Sequence, residues 1–197
     1  MKGIRITGGR FKGRSIEASD HRGARFTPSK VREAIFNIIG DVEGKRVLDL
    51  FAGSGSFAIE ALSRGCAKAT CVEKDQEMCD LISRNLNALS LTSLCEVFNM
   101  EARYAVPFLY KKAYNYDIIF MDPPYEKGYV KETVSLFQDD AVCNKERLFV
   151  VEHSKREIFD APISEGWETI AMKRYGDTCI SLYTCCSIPF KGDTDET

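Results

Sequence analysis

Val47-Leu48-Asp49-Leu50-Phe51-Ala52-Gly53-Ser54-Gly55-Ser56-Phe57-Ala58 reads as a strand, a tight glycine turn and the start of a helix. The apolar run Val47–Leu50 has the length and texture of a buried strand. Gly53 and Gly55 permit positive φ and let a ligand touch the backbone. The helix that follows presents free N–H groups at its first turn.

The same alternation continues on the C-terminal side. Strands are expected at 46–51, 69–73, 94–98, 117–121 and 147–152, and helices at 55–64, 75–90, 101–112 and 129–138. Repeated β-α units imply a mostly parallel sheet with helices on both faces, an α/β Rossmann-like arrangement. The rhythm breaks at the end. Segments 167–174 and 178–186 flank Gly176-Asp177 and read as an antiparallel hairpin closing the sheet. Trp167 is expected to anchor that hairpin, and the polar tail 191–197 to be frayed.

On the N-terminal side, residues 1–16 place short β-prone pieces around Gly8-Gly9 and Gly13, which suggests a small basic hairpin. Residues 17–26 read as an irregular loop. Thr27 and Pro28 suit the cap and first turn of a helix whose apolar stripe is Val31, Ala34, Ile35, Ile38 and Ile39, with Gly40 as its stop. Lys30 and Arg32 lie off that stripe. We therefore expect three parts: a basic hairpin-and-helix unit at 1–40, the main α/β domain at 41–190 and a tail at 191–197.

Composition is that of an ordinary globular protein: 197 residues, 44% hydrophobic, 28% charged. The net charge of −2 hides an asymmetry. Residues 1–32 hold nine Lys/Arg against Glu17 and Asp20, a local +7 that leaves −9 for the rest. Such a split suggests a polyanion-facing segment on an acidic body. Eight cysteines, at 66, 71, 79, 95, 143, 179, 185 and 186, include no CxxC pair, and His21 and His153 are far apart. Reduced thiols, no metal and a cytoplasmic setting follow as expectations. No apolar run approaches the ~20 residues of a membrane span.

Two acids narrow the ligand of the glycine turn. Asp49, four residues before Gly53, would repel a pyrophosphate but suit a cationic or amine-bearing ligand. Glu73 ends the second strand 18 residues after Gly55, where an acid can accept both ribose hydroxyls. S-adenosylmethionine, which has a ribose, an ammonium and a sulfonium but no phosphate, fits this pair better than NAD. A second turn, Asp122-Pro123-Pro124-Tyr125, follows the strand Ile118–Met121 and should open onto the same sheet edge. Asp122 and the Pro123 carbonyl can hold the N–H bonds of a poorly nucleophilic exocyclic amine, prolines stiffen the turn, and Tyr125 offers a ring for a displaced base.

Taken together, the glycine turn and Asp122-Pro-Pro-Tyr resemble the amino-group methyltransferases on the seven-stranded Rossmann-like fold. The whole chain resembles, more narrowly, the RsmD family of guanine-N2 methyltransferases of small-subunit (16S) ribosomal RNA. The matching pieces are Ile6-Thr7-Gly8-Gly9-Arg10-Phe11-Lys12-Gly13-Arg14, Thr27–Asn37, the glycine turn with Ile59–Gly65, the Asp-Pro-Pro-Tyr turn, and Arg174-Tyr175-Gly176-Asp177-Thr178. The resemblance implies that Asp49, Phe51, Gly53 and Gly55 line the methionine end of the cofactor, with Ser54 of the same turn also in contact with it. It gives Glu73 to the ribose and Glu101 and Ala102 to the adenine, with Lys74 a further cofactor contact. Where the family usually has Asp-Ala, this chain has Glu101-Ala102, and Asn99 is an alternative contact. Asp122, Pro123 and Tyr125 would bind and orient the guanine. Arg10, Lys12, Arg14, Arg25 and Arg32 would grip RNA phosphates, contacts that position without specifying sequence. The expected partner is 16S RNA within a small-subunit particle, met by a monomer.

Three other readings are open. One is N6-adenine or N4-cytosine methylation of DNA, because the same turn serves those amines. Another is a catalytically silent RNA-binding assembly factor. The third is a dehydrogenase. His153, after an expected strand, reads as structural.

Overall fold

A computed structural model describes residues 3–19, 27–125, 127–137, 147–157 and 167–185. Arg25, Cys143, Cys186 and the tail at 191–197 lie outside them.

Within the described residues, nine strands and five α-helices follow in order. β1 (Gly3–Arg5) and β2 (Ser15–Glu17) pair antiparallel as the small N-terminal hairpin. After α1 (Ser29–Ile39) come β3 (Arg46–Asp49), α2 (Ser56–Ser63), β4 (Lys68–Glu73), α3 (Gln76–Ala88), β5 (Cys95–Asn99), α4 (Ala102–Lys111), β6 (Ile118–Met121) and α5 (Tyr129–Ser135). β7 (Leu148–Ser154), β8 (Trp167–Tyr175) and β9 (Thr178–Cys185) complete the series. The main sheet has seven strands in the order β5-β4-β3-β6-β7-β9-β8. β5 through β7 are parallel, and β9 joins β7 and β8 antiparallel. The order reverses between β3 and β6, and ligands in open α/β sheets bind beyond the strand ends at such a switch point.

Buried parallel strands send alternate residues to the two faces, and the core divides accordingly. Val47, Cys71, Ile118, Phe120 and Val150 pack under α1, α2, α3 and the hairpin. Leu48, Val72, Ile119, Met121 and Val151 pack under α4 and α5, with Trp167 and Tyr183 at the far end. Trp167 lies 4.1 Å from the Phe149 ring and is 4% exposed, so it does anchor the terminal hairpin. Phe57 of α2 stacks between Phe36 of α1 (4.8 Å) and Phe120 of β6 (3.8 Å). That stack ties the glycine-turn helix to the strand that carries the second turn.

The expected course of α1 needs two corrections. The buried side of the helix is Val31, Arg32, Ile35 and Phe36, while Ala34, Ile38 and Ile39 are half-buried. α1 is covered from two directions, by α2 and by the hairpin, so its polar flank is buried too. The helix also starts at Ser29 without a side-chain cap, because the Thr27 hydroxyl is engaged elsewhere.

The hairpin is bolted to α2 through a buried carboxylate. Glu60, fully buried, accepts from the Thr7 amide (2.8 Å) and hydroxyl (2.7 Å), from Arg64 Nε (3.0 Å) and from Arg32 Nε (3.4 Å). Ser63 extends the joint: its hydroxyl donates to the Gly8 carbonyl, and its carbonyl accepts from the Arg10 amide. Cys66, Cys71, Cys79, Cys95 and Cys179 are free and buried. Among the described residues no helix is long and apolar enough to cross a membrane, and no group of His, Cys, Asp and Glu could hold a metal ion.

Candidate active site

A cavity of about 620 Å³ opens at the carboxyl ends of the parallel strands. The first turn gives it Leu50, Phe51 and Gly53; the second gives it Asp122, Pro123 and Pro124. The end of β4 adds Glu73 and Lys74, and the start of α4 adds Glu101, Ala102 and Arg103. The glycine turn and the acidic diproline turn thus share one chamber, as neighbouring ends of β3 and β6 must.

The glycine turn is built for approach. Gly53 has φ +52°, and a Cβ placed on it would meet nothing within 4 Å, so the backbone there faces open space. Its amide donates to Glu73 Oε2 at 2.9 Å, and the Asp75 amide donates to Glu73 Oε1 at 2.9 Å. A carboxylate oxygen has two lone pairs. Two backbone amides therefore fix the Glu73 carboxylate and leave one acceptor position on each oxygen for a pair of ligand hydroxyls.

Asp49 is 1% exposed and stands next to Leu50 of the cavity wall. Its Oδ1 is the one buried side-chain oxygen or nitrogen without a hydrogen-bond partner among the described residues. Burial pushes its carboxyl up to about 7, with the Glu73 charge adding to the rise; backbone amides of Phe51 and Ala58 oppose it. An orphaned buried acceptor costs roughly 1–3 kcal/mol. The group that would relieve it is a donor, best a cation. The open glycine backbone, the two free acceptor positions on Glu73 and this orphaned oxygen together fit S-adenosylmethionine, and the acids disfavour a pyrophosphate.

Three residues expected at the cofactor do not line the cavity. Asp49 is buried beside Leu50 of its wall, with its orphaned oxygen shut off until a ligand reaches it. Ser54 is buried, with its carbonyl accepting from Asn85 Nδ2 at 3.3 Å. Gly55 holds the left-handed residue before α2 and packs on Ile82. On the adenine side, Glu101 pairs with Arg103 (2.9 Å), and Asn99 turns its amide to the carbonyls of Glu73 and Lys74. Met78 of α3 and Met100 after β5 also line the wall, and isolated apolar residues carry no motif to reveal them.

At the second turn, Asp122 and Pro123 line the cavity and Tyr125 does not. The half-buried Tyr125 sends its hydroxyl to Glu152 Oε1 (3.2 Å) and Thr178 Oγ1 (3.1 Å). The Thr27 hydroxyl lies 3.2 Å from Asp122 Oδ2 and 3.1 Å from Glu152 Oε2. Thr27 and Thr178 fall in stretches that carry the family resemblance, yet nothing around them assigns either to a site. Glu152 does leave a trace: an acid in an otherwise apolar buried strand needs a partner. His153 is buried on Ser181 (2.8 Å) and the Ser154 carbonyl, and burial lowers its pKa, as a structural histidine requires.

The expected phosphate-binding cations separate. Arg10, Lys12 and Arg14 are exposed, with Arg10 and Arg14 over the Phe11 ring. They sit at the C-terminal ends of α2 and α3, since the Arg10 amide bonds Ser63 and Arg14 reaches the Ala88 carbonyl. That is about 12 Å, the length of α2, from the glycine turn. Arg32 is a correction: it is 1% exposed and bonds Glu60 and the carbonyls of Thr27 and Arg5, so it cannot face a phosphate.

The family described as Conserved hypothetical protein 95 matches residues 4–184. Ribosomal RNA small subunit methyltransferase D of Escherichia coli strain K12 is 35% identical over 181 residues, 91% of this chain and 89% of that one. Among solved structures, the Escherichia coli protein yhhF is 31% identical with a TM-score of 0.79, covering 95% of this chain and 100% of that one. Haemophilus influenzae HI0767 is 28% identical with a TM-score of 0.76, covering 94% and 100%.

Proposed function

This chain belongs to the RsmD family, described as Conserved hypothetical protein 95, and from that premise we propose that it methylates the exocyclic N2 of a guanine in 16S ribosomal RNA, using S-adenosylmethionine. Methylation of small-subunit ribosomal RNA is the activity named for the Escherichia coli relative. The amine specificity rests on one observation: Asp122 and the diproline turn share a chamber with Gly53 and Glu73.

Bound there, S-adenosylmethionine would supply a methyl carbon carried by a cationic sulfur. Glu73 would hold the ribose hydroxyls on its two remaining acceptor positions. Asp49 would meet the ammonium, and Phe51 and Gly53 would frame the methionine end. Ala102 and Glu101, the latter held by Arg103, would border the adenine. Asp122 and the Pro123 carbonyl would accept the N–H bonds of the guanine amine and turn its lone pair toward the methyl carbon. The prolines keep those acceptors fixed, and preorganised polar groups of this kind usually contribute more to catalysis than any other single effect. Direct displacement needs no covalent enzyme intermediate and gains mainly from proximity. The target base must leave its stack to reach Asp122. Arg10, Lys12 and Arg14 would then grip RNA flanking the target, and the activity would be that of a monomer without metal.

Incubation with label-bearing cofactor and undermethylated small subunits, or their RNA, tests this reading. Label in guanine N2 is expected. Label only in duplex DNA, on adenine N6 or cytosine N4, would replace it with the DNA reading.

A further inference from the structure

We infer that Thr27 and Glu152, acting through Asp122, receive the proton that the target amine sheds on methylation. The inference rests on the reading of Asp122 as the acceptor that holds the amine. Neither residue touches the base; both are positioning residues for Asp122.

The Thr27 oxygen lies 3.2 Å from Asp122 Oδ2 and 3.1 Å from Glu152 Oε2. A hydroxyl has one hydrogen and two lone pairs. When both carboxyls are ionised, Thr27 can donate well to only one, and its oxygen faces the other with a lone pair. Both contacts become hydrogen bonds only when one carboxyl carries a proton. The two Thr27 contacts therefore have a place for one proton more than the ionised pair supplies. Glu152 is 3% exposed, and its second oxygen accepts from Tyr125, whose hydroxyl also meets Thr178. With Glu152 as the final acceptor, the sequence Asp122, Thr27, Glu152 runs from the cavity wall into the interior.

The reaction delivers one proton at its open end. The amine nitrogen gives its lone pair to the methyl carbon, the old carbon–sulfur pair stays with sulfur, and the nitrogen is left one proton in excess. Asp122 takes that proton and passes it to the Thr27 oxygen as the Thr27 hydrogen moves to Glu152. The amine ends neutral, Asp122 is again a carboxylate, and Glu152 is a carboxylic acid. After product leaves, the same chain returns the proton to solvent.

The first measurement needs no substrate. In the cofactor-free protein, the carboxyl carbon of Asp122 is followed by NMR across pH in the parent and in Thr27→Val, Thr27→Ser and Glu152→Gln. The groups facing the trio include Tyr125 of the turn and Thr178 of β9; Glu132 of α5 shares the Asp122 chamber, and His153 faces Ser181 instead. The titration curve of Asp122 is expected to change in Thr27→Val and Glu152→Gln and to be kept in Thr27→Ser. Identical curves in all four proteins would overturn the relay.

The second measurement is single-turnover methyl transfer beside the affinity for S-adenosylhomocysteine. Glu152→Gln keeps the shape and the acceptor oxygen but cannot take a proton. It and Thr27→Val should slow transfer on the order of a hundredfold, the scale of general acid–base catalysis, with product affinity unchanged. Thr27→Ser should restore most of the rate. Full activity of Glu152→Gln, or an equal loss in Thr27→Ser, sinks the relay. Transfer to an adenine or cytosine amine instead would remove the guanine reading and leave the relay standing, since those amines shed the same proton.

Discussion

The amide of Gly53 donates to Glu73 Oε2 over 2.9 Å, so the glycine turn after β3 and the acid ending β4 form one unit. The Asp75 amide holds the other oxygen, and Asp75 itself caps α3 by accepting from the Glu77 and Met78 amides. The carboxylate is therefore oriented by backbone before any ligand arrives. Preorganisation of this sort lowers the cost of binding.

Glu73→Ala should weaken S-adenosylhomocysteine binding on the order of a hundredfold, because two charge-assisted hydrogen bonds at roughly 1.5 kcal/mol each disappear. Glu73→Gln keeps the shape but replaces one acceptor oxygen by a donor, and should lie between. Calorimetric titration reads both, and an affinity unchanged in Glu73→Ala would remove this residue from the ribose.

Asp49 gives a pH prediction whose sign is fixed. Its folded-state carboxyl is raised from 3.8 to about 7 by burial. Between those values the folded protein binds more protons than the unfolded chain, so stability falls as pH rises through the window. Asp49→Asn should flatten that slope in cofactor-free denaturation curves at pH 4.5 and pH 8, taken here as roughly the two ends of the window. A ligand ammonium selects the ionised form, so binding should tighten as pH rises toward 7 and release a proton below it. Calorimetry in two buffers of different ionisation heat measures the released proton; none released would show that Asp49 does not meet the ammonium.

What is legible in the sequence is local. The glycine turn, the β-α rhythm and the Gly176-Asp177 hairpin follow from neighbouring residues, and all appear in the sheet. Thr27 reads as a helix cap because its immediate neighbours make it one. Its actual partners are 95 and 125 residues away, and only the fold brings them in. Arg32 falls off the apolar stripe and so reads as a surface cation. The second layer over α1, supplied by the hairpin, buries it, and no periodicity within α1 records that layer. The same blindness hides Thr178, whose role depends on the terminal hairpin returning beside the second turn.

The joint between hairpin and α2 should dominate stability losses in the N-terminal unit. Glu60→Ala leaves the Arg32 guanidinium, 1% exposed, without its charge partner, and breaking a buried pair costs roughly 3–5 kcal/mol. Desolvation already lowers the Arg32 pKa against the opposing pull of Glu60. Gly9→Ala attacks the same joint sterically: φ is +72°, and the new Cβ would lie 1.8 Å from the Ser63 carbonyl oxygen. Denaturant unfolding should show both variants well below the parent. A loss under about 1 kcal/mol in Glu60→Ala, the level of an ordinary surface change, would mean the hairpin is held by apolar packing alone.

The exposed and the buried arginines should part company when RNA is added. Arg10, Lys12 and Arg14 are exposed at the C-terminal ends of α2 and α3. If they meet phosphates, Arg10→Glu, Lys12→Glu and Arg14→Glu should each weaken RNA binding at moderate salt. Each should also reduce the salt slope by roughly 0.7–0.9 for every phosphate no longer neutralised, with no change in S-adenosylhomocysteine affinity. Arg32→Ala should do the reverse: it should lower the melting temperature by removing the bonds to Glu60 and the Arg5 carbonyl, and leave the salt slope of the folded protein alone. Because the basic loop lies about one α2 length from the glycine turn, it must meet RNA beside the target and not the flipped base. The charge reversals should therefore raise the RNA concentration needed for half-maximal transfer while leaving the saturated rate near that of the parent. A saturated rate that collapses with KM unchanged would place these cations in the chemistry, against the separation of about 12 Å between the basic loop and the glycine turn.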